Sequence, residues 1–460
     1  MEQDFFSVET ATALGEEQLL KALSVGAGTD SAQFEGGRAM VPEDIEGMMV
    51  NAMRERREDC KFMATIKKRP VFSTVHEMVR RKGVGQHEFL AVPEGGGSDT
   101  SDQDIERKTI EVKFLQDRRS VTDQMEAVRG IEDAFESEKL AGTFNVLKAA
   151  ESLCFHGDSQ VVPEQFDGAI AQIKRSGNPN IVDIRGQTIA TVGERIITDA
   201  VYSVFAAGGD GNKLFFPPVF AQDIQDLVRD RLRFGTSGSR SMALVVDQYP
   251  TPFGSTVYFG QTEGADRFYK VKGRVSAIGS PKNRPPAPAA VTSVQSPDSK
   301  SKFGSADAGN YKYVVHGINR YGISEGKDIT ALAAVTAGNK VTLTITESAD
   351  KTETGYIICR SKKDGTDVME MVRIGKAGAT TTFDDCNIDL PGTGSMLLIT
   401  DNTLIPNVEF LQLLPLRYRP LYESTTAEKP FFIQLFGSVA VKVPEYCAVI
   451  DNIAYKGGLY

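Results

Sequence analysis

From Ser280 to Val291 the chain reads SPKNRPPAPAAV, four prolines in twelve residues deep inside a 460-residue sequence. Proline fixes φ and lacks a backbone donor, so the stretch is excluded from helix interiors and central strands. A linker at the end of a domain is common, whereas one placed mid-chain marks an insertion. The periodicity on either side identifies the insert and its host.

Beyond Ala287-Pro288 the helical spacing disappears for about a hundred residues. In AGNYKYVVHGINRYGISEGKDI, Tyr311, Tyr313, Val315, Gly317 and Asn319 alternate onto one face, with a turn at Gly322 and Ser324. KVTLTITES contributes Val341, Leu343 and Ile345, and TGYIICRSKKDG contributes Tyr356, Ile358 and Arg360. Short strands at this spacing, separated by Gly and Asp turns, predict an all-β sandwich over 285–390. Leu390-Pro391 closes the bracket. The prolines are expected to stiffen a tether that holds the sandwich away from its host.

The host reads as α+β. DQMEAVRGIEDAFESEKLAGTFNVLKAAESLC carries apolar residues at Met125, Val128, Ile131, Phe135, Phe144, Leu147 and Leu153, mostly three or four apart, predicting a long helix with one buried stripe. It ends at HGD, where Gly157 is expected to close it in the left-handed conformation. Next come a helix in ERIITDAVYSVFAA, a strand in KLFFPP, a helix in VFAQDIQDLVRDRL and paired strands in SMALVVDQYPTPFGSTVYFG. The mixed pattern returns after Asp384 with VEFLQLLPLRYRPL and FFIQLFGSVAVKVPEYCAVIDNIAY.

Residues 1–60 read as an arm. It holds a short amphipathic helix (Leu14, Leu19, Leu20, Leu23), a Gly-rich run, and a second helix with Ile45, Met48, Met49 and Ala52 on one face. Two strand-like runs follow, RPVFSTVHEMVRR with Val71, Val75 and Val79, and KTIEVKF with Ile110, Val112 and Phe114. Between them VPEGGGSDTSDQDIE forms an acidic, glycine-rich tip. An isolated hairpin is marginal in water and exposes its edges, so a long β-arm implies a partner that covers it. Its charge is asymmetric: Lys67, Lys68, Arg69, Arg80, Arg81 and Lys82 flank the first strand, and Glu94, Asp99, Asp102, Asp104 and Glu106 mark the tip and return. Complementary charge of this kind sets register and partner choice between copies. Arg69, Arg80, Arg81, Lys82, Glu94 and Asp99 are therefore the candidate inter-subunit residues.

Composition excludes several classes. The length allows about three domains. An apolar fraction of 41% and a charged fraction of 25% are those of a globular protein. A net charge of −9 argues against gripping nucleic acid over the whole surface. No signal sequence and no apolar run of membrane-spanning length is present, so no membrane association is expected. Cys60, Cys154, Cys359, Cys386 and Cys447 are scattered and read as free thiols. HGDS at His156–Ser159 lacks the elbow of a hydrolase nucleophile. GGDGNK at Gly208–Lys213 misses the phosphate-loop pattern and precedes a strand. The four histidines, 76, 87, 156 and 316, lie in different elements. Neither catalysis, cofactor nor metal is expected.

The order of these elements resembles the major capsid proteins of tailed bacteriophages with the Hong Kong 97-type fold. It is most similar to those of Twort-like contractile-tailed phages. GDSQVVPEQFDGAI resembles the family's turn after the spine helix, and LFFPPVFAQDIQDLVRDRL, NRPPAPAAVTS and FLQLLPLRYRPL…FGSVAVKVPEYCAVIDNIAY continue the likeness. The Y-x-Y-x-V-x-G-x-N-x-x-G-x-S string resembles the late strand pair of fibronectin type III and immunoglobulin-like domains, here placed ahead of strands that normally precede it.

The resemblance implies an N-terminal arm (1–60), an E-loop (61–122), a P-domain with the spine helix (123–240) and an A-domain (241–284 and 391–435). It further implies an Ig-like insert (285–390) and a return to the P-domain (436–460). It implies hexamers and pentamers of identical chains in an icosahedral head around double-stranded DNA, bound without sequence specificity. The expected partners are portal, scaffold, maturation protease and cement proteins, with assembly in the host cytoplasm. The competing expectation is an adhesin or tail-associated protein that grips a surface through the insert.

Overall fold

The computed structural model describes residues 60–83, 91–92, 94–96, 102–127, 133–229, 248–266, 273–329, 333–401, 406–422 and 427–454. The expected arm helices, the centre of the acidic tip and positions Val128 and Ile131 lie outside the described residues. All described residues except Asp133 belong to one unit. The architecture is α+β.

Two sheets organise the host. The first has four strands in the order Lys67–Pro70, Val408–Pro420, Glu428–Val441, Lys113–Thr122, the last three antiparallel in turn and the short first strand parallel to its neighbour. One face carries Leu115, Phe431, Ile433 and Leu435, which pack with Val146, Ala150, Leu153 and Cys154 of the long helix Ala134–His156. The second sheet has six strands, Ile181–Asp183, Ala448–Ile453, Gly394–Ile399, Lys213–Phe216, Thr256–Gln261 and Gln248–Pro250. The helix Arg195–Ala206 lays Ile196, Ile197, Ala200, Val201 and Val204 on it. Their spacing of one, three and four is that of a single helical stripe.

The long helix corrects the expected stripe. Phe144 and Leu147 are half-buried and Met125 is exposed, while Val146, Ala150, Leu153 and Cys154 face the core. The small Ala150 lets helix and sheet approach, a choice that hydrophobic periodicity underweights. Gly157 does not close the helix in a left-handed conformation. It is required by crowding: a Cβ there would meet the carbonyl oxygens of Phe166 at 2.3 Å and Leu153 at 2.6 Å. Its N–H donates to Leu153 O, and its own carbonyl accepts from Gly168 N–H.

The β-arm is also shorter than expected. Its paired strands are Val75–Gly83 and Asp104–Glu111. Val71 is buried below them, and Val112 ends the pairing, because from Lys113 the chain joins the four-stranded sheet. Val71, Val75 and Val79 therefore do not share one strand face.

The inserted region forms a three-stranded sheet (Ala290–Pro297, Asn339–Thr346, Thr380–Asp385) and a four-stranded one (Tyr313–Asn319, Gly322–Asp328, Gly355–Ser361, Val368–Gly375). Val291, Val341, Leu343 and Ile345 of the first share an apolar core with Tyr313, Val315, Tyr356, Ile358 and Met371 of the second. The other face of the four-stranded sheet is covered too. Val314, Ile318, Ile357 and Cys359 pack on Val161 and Val162, in the loop after the long helix.

The linker is therefore no spacer. Pro285 and Pro288 are buried, Ile278 bridges to Ile323, and Asn319 Nδ2 donates to Asn283 O. The insert is held against its host.

Candidate assembly surface

The surface is built on the hairpin. Strict alternation puts His76, Met78 and Arg80 of the first strand, with Glu106, Lys108 and Ile110 of the second, toward the host. Ile110 and the half-buried Met78 anchor its base on Val71, Leu411 and Ala440. The opposite face carries Val75, Glu77, Val79, Arg81, Ile105, Arg107 and Thr109, all exposed. Val79 is 66% exposed, Ile105 52% and the preceding Phe72 97%. Apolar side chains held outward by the strand period form a surface that water does not favour, as expected where another protein covers it.

Charge pins the inner face. Arg80 donates from Nε to Glu106 Oε2 at 2.7 Å, and its Nη1 lies 3.1 Å from Glu445 Oε2. Lys82 adds a third cation contact, 3.1 Å from Glu106. The hydrogen bonds from Arg80, then Lys82, hold the Glu106 carboxyl below its usual range. Burial, then the nearby Arg80, lowers Lys108. A cleft of about 370 Å³ between hairpin and host is lined by Arg80, Arg81, Lys82, Asn178, Glu445 and Tyr446.

At the other end of the arm, Arg69 lies 3.7 Å from Glu409, a buried carboxylate that Lys442 also approaches at 3.1 Å. Burial, then Arg69, lowers the His76 pKa.

The candidate residues thus separate. Arg80 is engaged within the chain. Arg69 is half-committed to Glu409, and Arg81, Lys82 and Glu94 are exposed. Asp99 lies outside the described residues. Sequence reasoning missed Glu445 and Glu409, which are distant in the chain and carry no local signal. It also missed the outward apolar positions, which strand alternation marks once the hairpin limits are known.

The fragments that invited catalytic readings are occupied structurally. His156 Nε2 lies 2.7 Å from Ala265 O, and Ser159 donates through both N–H and Oγ to Asp167. Among the described residues no cluster of His, Cys, Asp or Glu is arranged to hold a metal ion, and no helix is long and apolar enough to cross a membrane.

A hairpin that is ion-paired on its inner face, and on the other leaves Val75, Val79 and Ile105 exposed beside the Arg107–Glu77 pair, presents a surface suited to contact with other chains. Residues 27–262, just over half of the sequence, match the family described as SU10 major capsid protein, and the chain belongs to that family. It is similar to the major capsid protein of Staphylococcus phage S25-3, at 23% identity over 96% of each chain. The identity and coverage are the same for that of Staphylococcus phage K. Among solved structures it is similar to the capsid of cyanophage P-SCSP1u, with a TM-score of 0.46, 11% identity, and coverage of 95% of this chain and 98% of the other. The chain is a capsid-forming major capsid protein of a tailed phage.

Proposed function

We propose that identical copies assemble into hexamers and pentamers that close an icosahedral head around double-stranded DNA, and that the fold is of the Hong Kong 97 type. The observation that carries this reading is the hairpin, whose outward Val75, Val79 and Ile105 stand exposed among the described residues. In a shell, a neighbouring subunit covers them. The organisation is an N-arm (1–60), E-loop (61–122), P-domain (123–240), A-domain (241–284 and 391–435), insert (285–390) and C-terminal return (436–460). The role is structural rather than catalytic. Portal, scaffold, maturation protease and cement proteins are the partners, and assembly takes place in the host cytoplasm.

The insert is read as an immunoglobulin-like sandwich of the fibronectin type III kind. Its division into three- and four-stranded antiparallel sheets around one core supports this. So does the central placement of Tyr313–Asn319 beside Gly355–Ser361, with the late strand pair coming early in the chain.

Electron microscopy of the expressed chain, with scaffold where needed, should show capsomers or shells. A monomer under all conditions would sink the proposal. Changing exposed apolar positions of the 285–390 region, such as Val294 and Tyr321, to Ser should leave assembly intact, whereas an adhesin would lose its main activity. Reversing Arg81 and Lys82 to Glu should reduce assembly while the circular dichroism spectrum stays native. Unchanged assembly at low salt would remove these residues from the contact.

A further inference from the structure

The four-stranded sheet that packs on the long helix ends on a basic edge. Its edge strand, Lys67–Pro70, is exposed at all four residues, and parallel pairing sets Lys67 beside Glu409 and Arg69 beside Leu411. On the other side of that strand, antiparallel pairing sets Ala440 beside Glu409, and Lys442 lies two residues further on. Side chains two apart share a face, so Lys67, Arg69, Glu409 and Lys442 emerge together. They bound a pocket of about 330 Å³, which Lys68 also lines.

Its charge is one-sided. Lys67, Lys68, Arg69 and Lys442 face a single carboxylate, Glu409, which leaves the walls at +3 within a chain of net charge −9. Glu409 is 5% exposed and holds Lys442 Nζ 3.1 Å from its Oε1. Arg69 Nη1 stands 3.7 Å from Oε2, beyond hydrogen-bond distance, and that oxygen accepts no hydrogen bond among the described residues. The buried carboxylate thus places two cations at the wall without occupying the guanidinium's donors. Lys67 and Lys68 enter no ion pair among the described residues, where the pairs of this pocket run from Arg69 and Lys442 to Glu409. Pro70 and Pro406 complete the wall with backbone of fixed φ. Cations gathered this closely repel one another, and an incoming anion relieves that repulsion.

We infer that the pocket of Lys67, Lys68, Arg69 and Lys442 binds a phosphate group. A carboxylate brings one charge and two oxygens in a plane, and Glu409 already supplies one. A phosphate brings oxygens spread tetrahedrally, which suits donors that arrive from the edge strand on one side and Lys442 on the other. Arginine contributes a planar fork matched to such oxygens, and the lysines contribute compact charges that adjust to them. The group is either a phosphodiester of a DNA backbone or a free phosphate such as polyphosphate; the recognising chemistry is the same. The site lies within one chain, so it stands or falls independently of assembly.

The test is calorimetric titration of the dilute full-length chain with tripolyphosphate, with a short DNA duplex and with an oligoglutamate. Tripolyphosphate or the duplex should bind, and K67Q/K68Q should weaken that binding at least about tenfold and flatten the slope of log affinity against log salt by about two. R81Q/K82Q removes the same charge from the hairpin, more than a Debye length away, and should change affinity by less than about twofold. A second measurement needs no variant: saturating tripolyphosphate should slow acetylation of Lys67, Lys68 and Lys442 in the native chain, read by mass spectrometry, while Lys82 reacts as before. Displacement of tripolyphosphate by the duplex assigns the site to a DNA backbone, and its absence confines the site to free phosphate. Failure of both phosphate probes to bind, equal losses in the two double variants, lysines left unprotected, or oligoglutamate binding as tightly as tripolyphosphate would each overturn the inference.

Discussion

Arg360 has no solvent exposure, and both terminal nitrogens of its guanidinium are engaged. Nη1 donates to Asp385 Oδ2 at 2.6 Å, Nη2 donates to Asn387 Oδ1 at 2.7 Å, and the Phe303 and Tyr311 rings lie within 5.4 Å and 5.2 Å. Tyr313 donates to the same Asp385 oxygen, and burial, then the Asp385 charge, pushes its phenol far above the ordinary value. Removing one member of such a pair leaves a charge buried alone. R360A should therefore cost about 3–5 kcal/mol by chemical denaturation, while R360M/D385N should cost less, because no charge is left buried alone and an amide oxygen still accepts from Tyr313 or the Asn387 N–H. Alternation with Tyr356 and Ile358 already put Arg360 on the core side, but Asp385, in a later strand, left no trace near it. Glu151 was silent for the same reason. It lies in the long helix, 1% exposed, and accepts from the N–H groups of Phe62 and Met63 and from Thr262 Oγ1. Burial raises its pKa against the pull of those donors. The folded chain therefore holds the proton more tightly than the unfolded one. The resulting stabilisation is full below the unfolded value and is lost as pH rises through the folded one. Glu151→Gln removes this dependence, so the stability of the native chain relative to the variant should fall as pH rises above 4.5.

At the scale of elements, the hairpin is held at its base by packing and along its length by Arg80. Glu445→Gln should change global stability by less than about 1 kcal/mol, as befits a partly exposed pair. Amide exchange across 75–83 and 104–111 should nevertheless quicken, because the local opening loses its pin. Unchanged exchange would show that Ile110 and Met78 suffice. The existence of this hairpin was legible from alternation and its acidic tip. Its limits were not, since the sheet that captures Lys113 onward is built with Glu428–Val441, more than three hundred residues later. The long helix was legible as a helix but not in its buried stripe, where Ala150 and Cys154 displaced the larger Phe144 and Leu147. Gly157→Ala should cost about 1–3 kcal/mol or more, since the added methyl meets backbone on two sides. A melting curve would measure the loss.

For the whole molecule, the change to a strand-only pattern after Pro288 was readable because proline and the change of period are local signals. The attachment of the insert was not, because Val161 and Val162 carry no mark of the sheet they will cover. V161D should uncouple the insert, making the 285–390 region more susceptible to limited proteolysis while the six-stranded sheet stays protected. The insert is gripped at several separate points. A Cβ at Gly375 would meet Gln160 O at 2.3 Å, so the two backbones touch directly. Arg185 donates to Asn387 O and Lys302 O, and Lys302 lies 2.9 Å from Asp183. Asn452 accepts from Leu390 N–H and donates to Ile388 O. These contacts run from the loop after the long helix to the C-terminal strand of the six-stranded sheet. A module fastened at so many points acts as a brace: strain applied to one part of the wall is passed through the insert to another, and a shell swelling under internal pressure would load it in tension.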